Sequence, residues 1–168
     1  MTPKSDQGMD HVRYQVVPRV LIFLFDHHNR VLLLKGSAQK RLWAGLYNGI
    51  GGHIEAGEDI LEAAHRELFE ETGILDLSMD LCGQIMVDVA PQVGVAIFVF
   101  KGAYHGTSLT PSDEGMLSWV NLEDLDSLDL VEDLPVLLPK IAVHGPSSPM
   151  IIAKYTYDGA GNLRISFR

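Results

Sequence analysis

Residues Gly52 to Ile74 read GHIEAGEDILEAAHRELFEETGI, and the reading of the fold starts from this stretch. From Asp59 to about Thr72 the pattern predicts a helix. Leu61, Ala64 and Leu68 recur at three- and four-residue steps as one apolar face, and Gly73 supplies a left-handed stop. Glu67, Glu70 and Glu71 then stand at i, i+3 and i+4 and share a face. Like charges at these spacings cost roughly 0.2–0.5 kcal/mol per pair. Glu70 and Glu71 also fall in the last turn, where the helix dipole disfavours anions by roughly 0.3–1 kcal/mol each. A solvated, salt-bridged face is the plain alternative, with Arg66 reaching back one turn to Glu62. That pairing accounts for Glu62 and Arg66, but three crowded glutamates call for a cation. All-oxygen donors select hard ions, magnesium first and manganese next.

Upstream, Asn48-Gly49-Ile50-Gly51-Gly52 has three glycines in four residues, so main chain can approach a ligand where side chains would block it. Before it, Arg19 to Phe25 and Val31 to Leu34 read as two buried strands joined by the polar hairpin Asp26 to Arg30. His27 and His28 sit in that hairpin without a third ligand nearby in sequence, which favours a solvated loop over a metal site. Met1 to His11 read as a loose polar tail. Downstream come strands at Gly83 to Val89, Val93 to Phe100 and Leu117 to Val120, then a second helix over about Asp133 to His144. Met150 to Tyr157 and Asn162 to Phe167 alternate around Asp158-Gly159-Ala160-Gly161 as a C-terminal hairpin. Strands mixed with two helices predict an α/β sheet packed between helical layers. One domain, residues 12–168, follows the tail of residues 1–11.

At 168 residues, 46% hydrophobic and 21% charged, the composition is that of one well-buried globular domain. The formal net charge of −9 argues against a nucleic-acid polymer as partner, and a strongly anionic ligand would have to arrive with, or find, metal counter-ions. That favours a small ligand over a long strand. Cys82, the only cysteine, reads as a buried apolar group and predicts a reducing compartment. The N-terminus lacks the apolar stretch of a signal peptide, and Val20 to Phe25 is too short to span a bilayer. A cytoplasmic protein without membrane contact is expected.

At Gly52, Glu58, Arg66, Glu67, Leu68, Glu70, Glu71, Gly73 and Ile74 the opening stretch resembles the Nudix box at every defined position. The resemblance implies the Nudix fold, a mixed β-sheet sandwiched between helices. It also implies a hydrolase that cleaves a diphosphate linked to a further group with divalent metal ions. Glu67 and Glu71 become the principal ligands, supported by Glu70 and the Gly52 backbone, and Arg66 orients a neighbouring glutamate through a bidentate pair. Glu58 reads as a helix-start residue that fixes the loop, with Gly73 ending the helix.

Three further stretches resemble the oxidised-purine nucleoside triphosphatase branch. Tyr47 to Gly52 resembles its W-N-G-F-G-G segment and puts Asn48 where an asparagine hydrogen-bonds the purine. Ser112-Asp113-Glu114 followed by Trp119 resembles its S-D-E…W segment and makes Glu114 a further catalytic and metal-binding residue. Leu130 to Leu134 stands where the branch carries an aromatic residue before P-D-D. The aromatic is absent here, and the acidic pair is Glu132 and Asp133. Alignment forward from Trp119 favours Asp133 as the base reader, and the alternative is that both acids open the second helix. Trp43, Tyr47 and Trp119 are available for base stacking or for packing. Lys35, Lys40 and Arg41 are available for phosphate contact or for a solvated loop. The expected reaction is magnesium-dependent cleavage of a nucleoside triphosphate to monophosphate and pyrophosphate, with Glu67 or Glu114 taking the water's proton. The box alone equally allows nucleotide sugars, dinucleoside polyphosphates, oxidised dinucleotide cofactors or RNA caps. A non-catalytic binding module would usually have lost the glutamates.

Overall fold

The computed structural model describes residues 13–38, 43–110 and 112–168. The expected N-terminal tail, Lys40 and Arg41 lie outside the described residues. Strand β1 (Gln15–Phe25) is buried on both faces over its second half. Period-two alternation explains this. Val20, Ile22 and Leu24 enter one core cluster, and Phe23 and Phe25 enter another, so the strand has protein on either side. Strand β2 (Arg30–Gly36) repeats the division, with Val31 and Leu33 facing one cluster and Leu32 the other. In the hairpin between them the Asp26 carboxylate accepts from the backbone N–H groups of His28 and Arg30 and pairs with the Arg30 guanidinium. His27 and His28 are exposed there, and His105 lies 5.9 Å from His27 between ring centroids.

The chain continues through β3 (Tyr47–Asn48), α1 (Ile60–Thr72), β4 (Met79–Ala90), β5 (Val93–Ala103) and β6 (Gly115–Asn121). A 3-10 turn, α2 (Leu134–Val143), β7 (Ile151–Tyr157) and β8 (Leu163–Phe167) complete it. The eight strands form one mixed sheet in the order β3-β2-β1-β5-β4-β7-β8, with β6 paired to β2. β1 with β5 and β4 with β7 run parallel, and the remaining pairs are antiparallel. α1 covers one face through Ala63, Ala64 and Leu68, and α2 covers the other through Leu134, Leu137, Leu138 and Ile141. This is the expected layering of sheet between helices.

One feature of the sheet places the site. β1 and β2 pair only at Leu24–Leu32 and Phe25–Val31 before diverging, which leaves the β1 edge open. The glycine-rich segment takes that edge. Ile22 and Ile50 exchange N–H···O bonds of 2.7 and 3.1 Å, Val20 N–H donates to the Gly52 carbonyl at 3.0 Å, and Ile54 N–H donates to Pro18. Main chain therefore lies directly on main chain, and Gly51 has no room for a side chain, because a Cβ there would strike the Val20 carbonyl.

α1 opens on Asp59, whose carboxylate accepts from Leu61 and Glu62 N–H while Glu62 reaches back to Asp59 N–H. This reciprocal capping box satisfies donors that the first turn leaves over. It also overturns the expected Glu62–Arg66 pair, since Glu62 is spent on the cap. Gly73 ends the helix at φ 74°, donating to Phe69 O. The apolar face differs by part of a turn from the predicted one: Leu61 is exposed, and Ala63, Ala64 and Leu68 are buried, so the helix lies close on the sheet through its two alanines. α2 begins after Asp133 and ends before His144, as expected, and Lys101 Nζ donates to the carbonyls of Ala142 and His144 at its C-terminus. Cys82 is buried, which pushes its thiol up to about 11. Among the described residues no helix is long and apolar enough to cross a membrane.

Candidate active site

Arg66 organises the acidic helix. Its Nε and Nη2 grip both Glu58 oxygens at 2.6 and 3.0 Å, Nη1 donates to Glu67 at 2.9 Å and Glu70 at 3.2 Å, and Nη2 also donates to the His53 carbonyl at 2.9 Å. A guanidinium has five N–H donors, so Arg66 has none to spare. The bidentate pair expected of it exists, with Glu58 as the partner. Glu58 in turn accepts from Glu55 N–H, and these bonds, the one from Arg66 foremost, pull its carboxyl down to about 2. Through these bonds Glu58 ties the loop to the helix. Hydrogen bonding to Glu58 likewise raises Arg66 above its ordinary range.

Glu71 and Glu67 stand against the glycine loop. Glu71 is only 4% exposed and accepts from Gly51 N–H at 3.2 Å. Gly52 is the cradle for Glu67: a Cβ at Gly52 would lie 2.7 Å from the Glu67 carboxyl carbon and closer still to one of its oxygens. Burial raises Glu67 above its ordinary range, against the pull of Arg66, and Glu70 and Glu114 raise it further. Glu70 is more exposed, with 56% of its side chain accessible.

A cleft of about 680 Å³ collects these groups. It is lined by Glu55, Glu67, Glu70, Glu71, Asp113 and Glu114, by Arg19 and Arg66, and by Trp43, Gly51, Gly52, His53 and Ser112. Glu114 comes from the segment before β6, held by Ser37 N–H to its carbonyl and by its own N–H to Ser112 Oγ. The donors are those of a hard divalent cation: carboxylates beside a Gly52 carbonyl that has spent one lone pair on Val20 N–H and keeps the other. Among the described residues no three His, Cys, Asp or Glu side chains already converge on one point. The cleft therefore offers the ligands of such a cation without a finished cage.

Sequence reasoning did not single out Arg19 or His53. Arg19 Nε and Nη2 point at His53 Nε2 at 3.2 and 3.0 Å, and the guanidinium lies 5.5 Å from the Trp43 ring centroid. Arg19 lies within β1 and carries no motif, and its partners are far along the chain, so only the fold brings them together.

Asn48 adjoins the acids. A small hollow shared with Leu34, Gly36, Trp43, Leu46, Gly49 and Gly51 has Glu71 in its wall, and Asn48 Oδ1 accepts from Gly49 N–H at 2.8 Å. Val131 N–H donates to Tyr47 O and Leu130 bridges Tyr47, which brings the acidic pair alongside β3. Glu132 is exposed, whereas Asp133 is buried and accepts from Tyr155 Oη at 3.1 Å. Burial raises Asp133 above the usual carboxylate range. Asp133 stands at the N-cap of α2, where the helix dipole favours an acid, and makes no side-chain capping bond. Tyr47 packs on the α2 side beneath Lys35, and Trp119 packs on the α1 side beneath Arg30.

Residues 16–141 match the NUDIX domain, and the chain belongs to the Nudix family. Within the family it is a pyrophosphohydrolase. Over 118 residues it is 34% identical to the oxidized purine nucleoside triphosphate hydrolase of Mus musculus, covering 66% of this chain and 73% of that one. A stretch of 112 residues is 47% identical to isopentenyl-diphosphate Delta-isomerase 2 of Photorhabdus laumondii, covering 64% and 63% of the two chains. Among solved structures, the MutT protein from Bacillus halodurans superposes with a TM-score of 0.72 at 26% identity, over 91% of this chain and 97% of that one.

Proposed function

We propose that this Nudix hydrolase cleaves purine nucleoside triphosphates, oxidised ones by preference, to the monophosphate and pyrophosphate, with magnesium or manganese as cofactor. The observation that carries the reading is the sharing of one hollow by Asn48 and Glu71, which sets an amide able to read a purine edge beside the acids of the cleavage site. Likeness to the mouse hydrolase supports the same substrate class. Glu67, Glu70, Glu71, Glu114 and the Gly52 carbonyl would hold a divalent ion, which would supply charge neutralisation on the phosphate oxygens and lower the pKa of a water. The chain's own residues do the rest. Arg66 and Glu58 fix the helix against the loop, and a carboxylate of the Glu67 and Glu114 set accepts the proton of the attacking water. Asn48 offers a donor and an acceptor to the base, and Asp133, favoured over Glu132 by alignment forward from Trp119, is the second reader.

The test is a magnesium-dependent screen of nucleoside triphosphates, nucleotide sugars and dinucleotides, scored by products, on wild type and Asn48→Ala. Wild type should prefer modified purine triphosphates, and Asn48→Ala should narrow the ratio of kcat/KM between them and pyrimidine triphosphates. Absence of a purine preference, or equal slowing of all substrates by Asn48→Ala, would reject the sanitising role and leave the family assignment intact. Likeness to the isomerase favours a second reading, action on an isoprenoid diphosphate. Isopentenyl diphosphate, scored for isomerisation, belongs in the same screen.

A further inference from the structure

A triphosphate brings several negative charges into a cleft already lined by six carboxylates. Only two arginines line it among the described residues, and Arg66 has committed all five donors to Glu58, Glu67, Glu70 and the His53 carbonyl. Arg19 is built differently. Its backbone is held against the glycine loop by the Arg19–His53 bridge and by the bond from neighbouring Val20 to Gly52. Its guanidinium lies over the Trp43 ring and directs Nε and Nη2 to one imidazole nitrogen, His53 Nε2. Nη1 makes no hydrogen bond to any described residue. A cation whose task was only to neutralise Glu67 would place its donors on that carboxylate. Here they lie on an imidazole rather than a carboxylate, and the outer edge of the fork makes no hydrogen bond to a described residue, although Glu67 is near enough to act on the Arg19 charge.

The shelf beneath Arg19 is itself strained. Trp43 sits at φ 58°, in the left-handed region that a bulky side chain rarely enters and that persists where surroundings over-determine it, as at ligand clamps. With Arg19 over its ring, Trp43 is placed to position the guanidinium.

We infer that Arg19 is a phosphate-binding residue of this cleft, its free guanidinium edge taking non-bridging oxygens of the substrate's polyphosphate, with Trp43 and His53 holding the fork in place. The planar fork matches phosphate oxygens in a way a lysine ammonium does not. Burial takes the Arg19 guanidinium, still charged, partly out of water and lowers its pKa, and an arriving phosphate would offset that desolvation. The inference rests on the polyphosphate reading above.

The experiment uses the full chain and two titrations: magnesium pyrophosphate at saturating metal, followed by calorimetry, and manganese alone, followed by its free spin signal. Arg19→Ala should weaken pyrophosphate binding about 10- to 100-fold, the span of a lost charge-assisted hydrogen bond. It should raise KM for a triphosphate in parallel and lower kcat less. Manganese affinity should stay within about threefold, because Arg19 holds no metal ligand by a hydrogen bond. A pyrophosphate affinity within about twofold of wild type overturns the inference, whatever happens to manganese. Should Arg19→Ala fail to fold, Arg19→Lys decides. It keeps the charge and loses the fork, so a loss of about fivefold or more supports the inference and an unchanged affinity overturns it. A wild type that neither binds pyrophosphate nor cleaves any polyphosphate would instead bring down the underlying functional reading.

Discussion

Gly51 and Gly52 adjoin in the chain, yet the structure excludes a side chain from each for a different reason, and alanine at the two positions should give opposite signatures. At Gly51 the obstacle is backbone: φ is 146°, and an added Cβ would strike the Val20 carbonyl. Strain of that kind costs of order 1–3 kcal/mol before any displacement of β1. For a chain of this size, each kcal/mol lowers Tm by roughly 2–4 °C. Gly51→Ala should therefore melt roughly 2–12 °C below wild type. At Gly52 the φ lies outside the left-handed region, and the nearest atoms to a Cβ belong to the tip of Glu67, which can swing away. The substitution lowers unfolded-state entropy, a gain of about 0.4–1 kcal/mol. Loss of the Arg66–Glu67 bond would offset that by about 1 kcal/mol. Net stability should stay within about 1 kcal/mol of wild type. Function should not, because displacing a reacting group by about 1 Å can cost on the order of 100-fold. Melts in chelator, paired with pyrophosphate release under saturating magnesium, read both quantities. Gly52→Ala with full turnover, or with a melting loss as large as that of Gly51→Ala, would refute the view that Gly52 exists to seat Glu67.

Much of this was legible because periodicity and capping are local. The Asp59 to Thr72 helix, its Gly73 stop, the doubly buried β1 and the C-terminal hairpin follow from spacing alone. Arg66 was harder. The spacing to Glu62 favours a pair one turn apart, but Asp59-x-x-Glu62 is also a capping-box spacing, and the cap claims Glu62 first. With Glu62 taken, Arg66 turns to Glu58 and back to Glu67 and Glu70. The like-charge argument for a metal weakens accordingly, since Arg66 itself screens Glu67 and Glu70. What still points to a cation is the excess of carboxylates around the whole cleft, and Asp113, Glu114 and Glu55 reach it from outside the helix. No local pattern reports that convergence, just as none reports the meeting of Arg19, Trp43 and His53.

Turnover should vanish in chelator and return with magnesium or manganese, since the carboxylates alone would repel a polyphosphate. Full turnover in metal-free buffer would defeat that, and orthophosphate as the first product would place the cleavage at a different bond. The last prediction concerns pH and Asp133. Burial raises its carboxyl in the folded protein, against the weaker opposing pull of the Tyr155 hydrogen bond, so the folded state holds this proton more tightly than the unfolded chain does. Its contribution to stability is then fully present below the unfolded value, about 3.9, and is lost as pH rises through the folded value. Asp133→Asn can still accept from Tyr155 Oη but does not titrate. The melting temperature of the variant minus that of wild type should therefore become more positive from pH 4 to pH 7. A difference that stays flat across that range would mean that Asp133 ionises in the fold as readily as in the open chain, and that its inward position beside Tyr155 exerts no electrostatic cost.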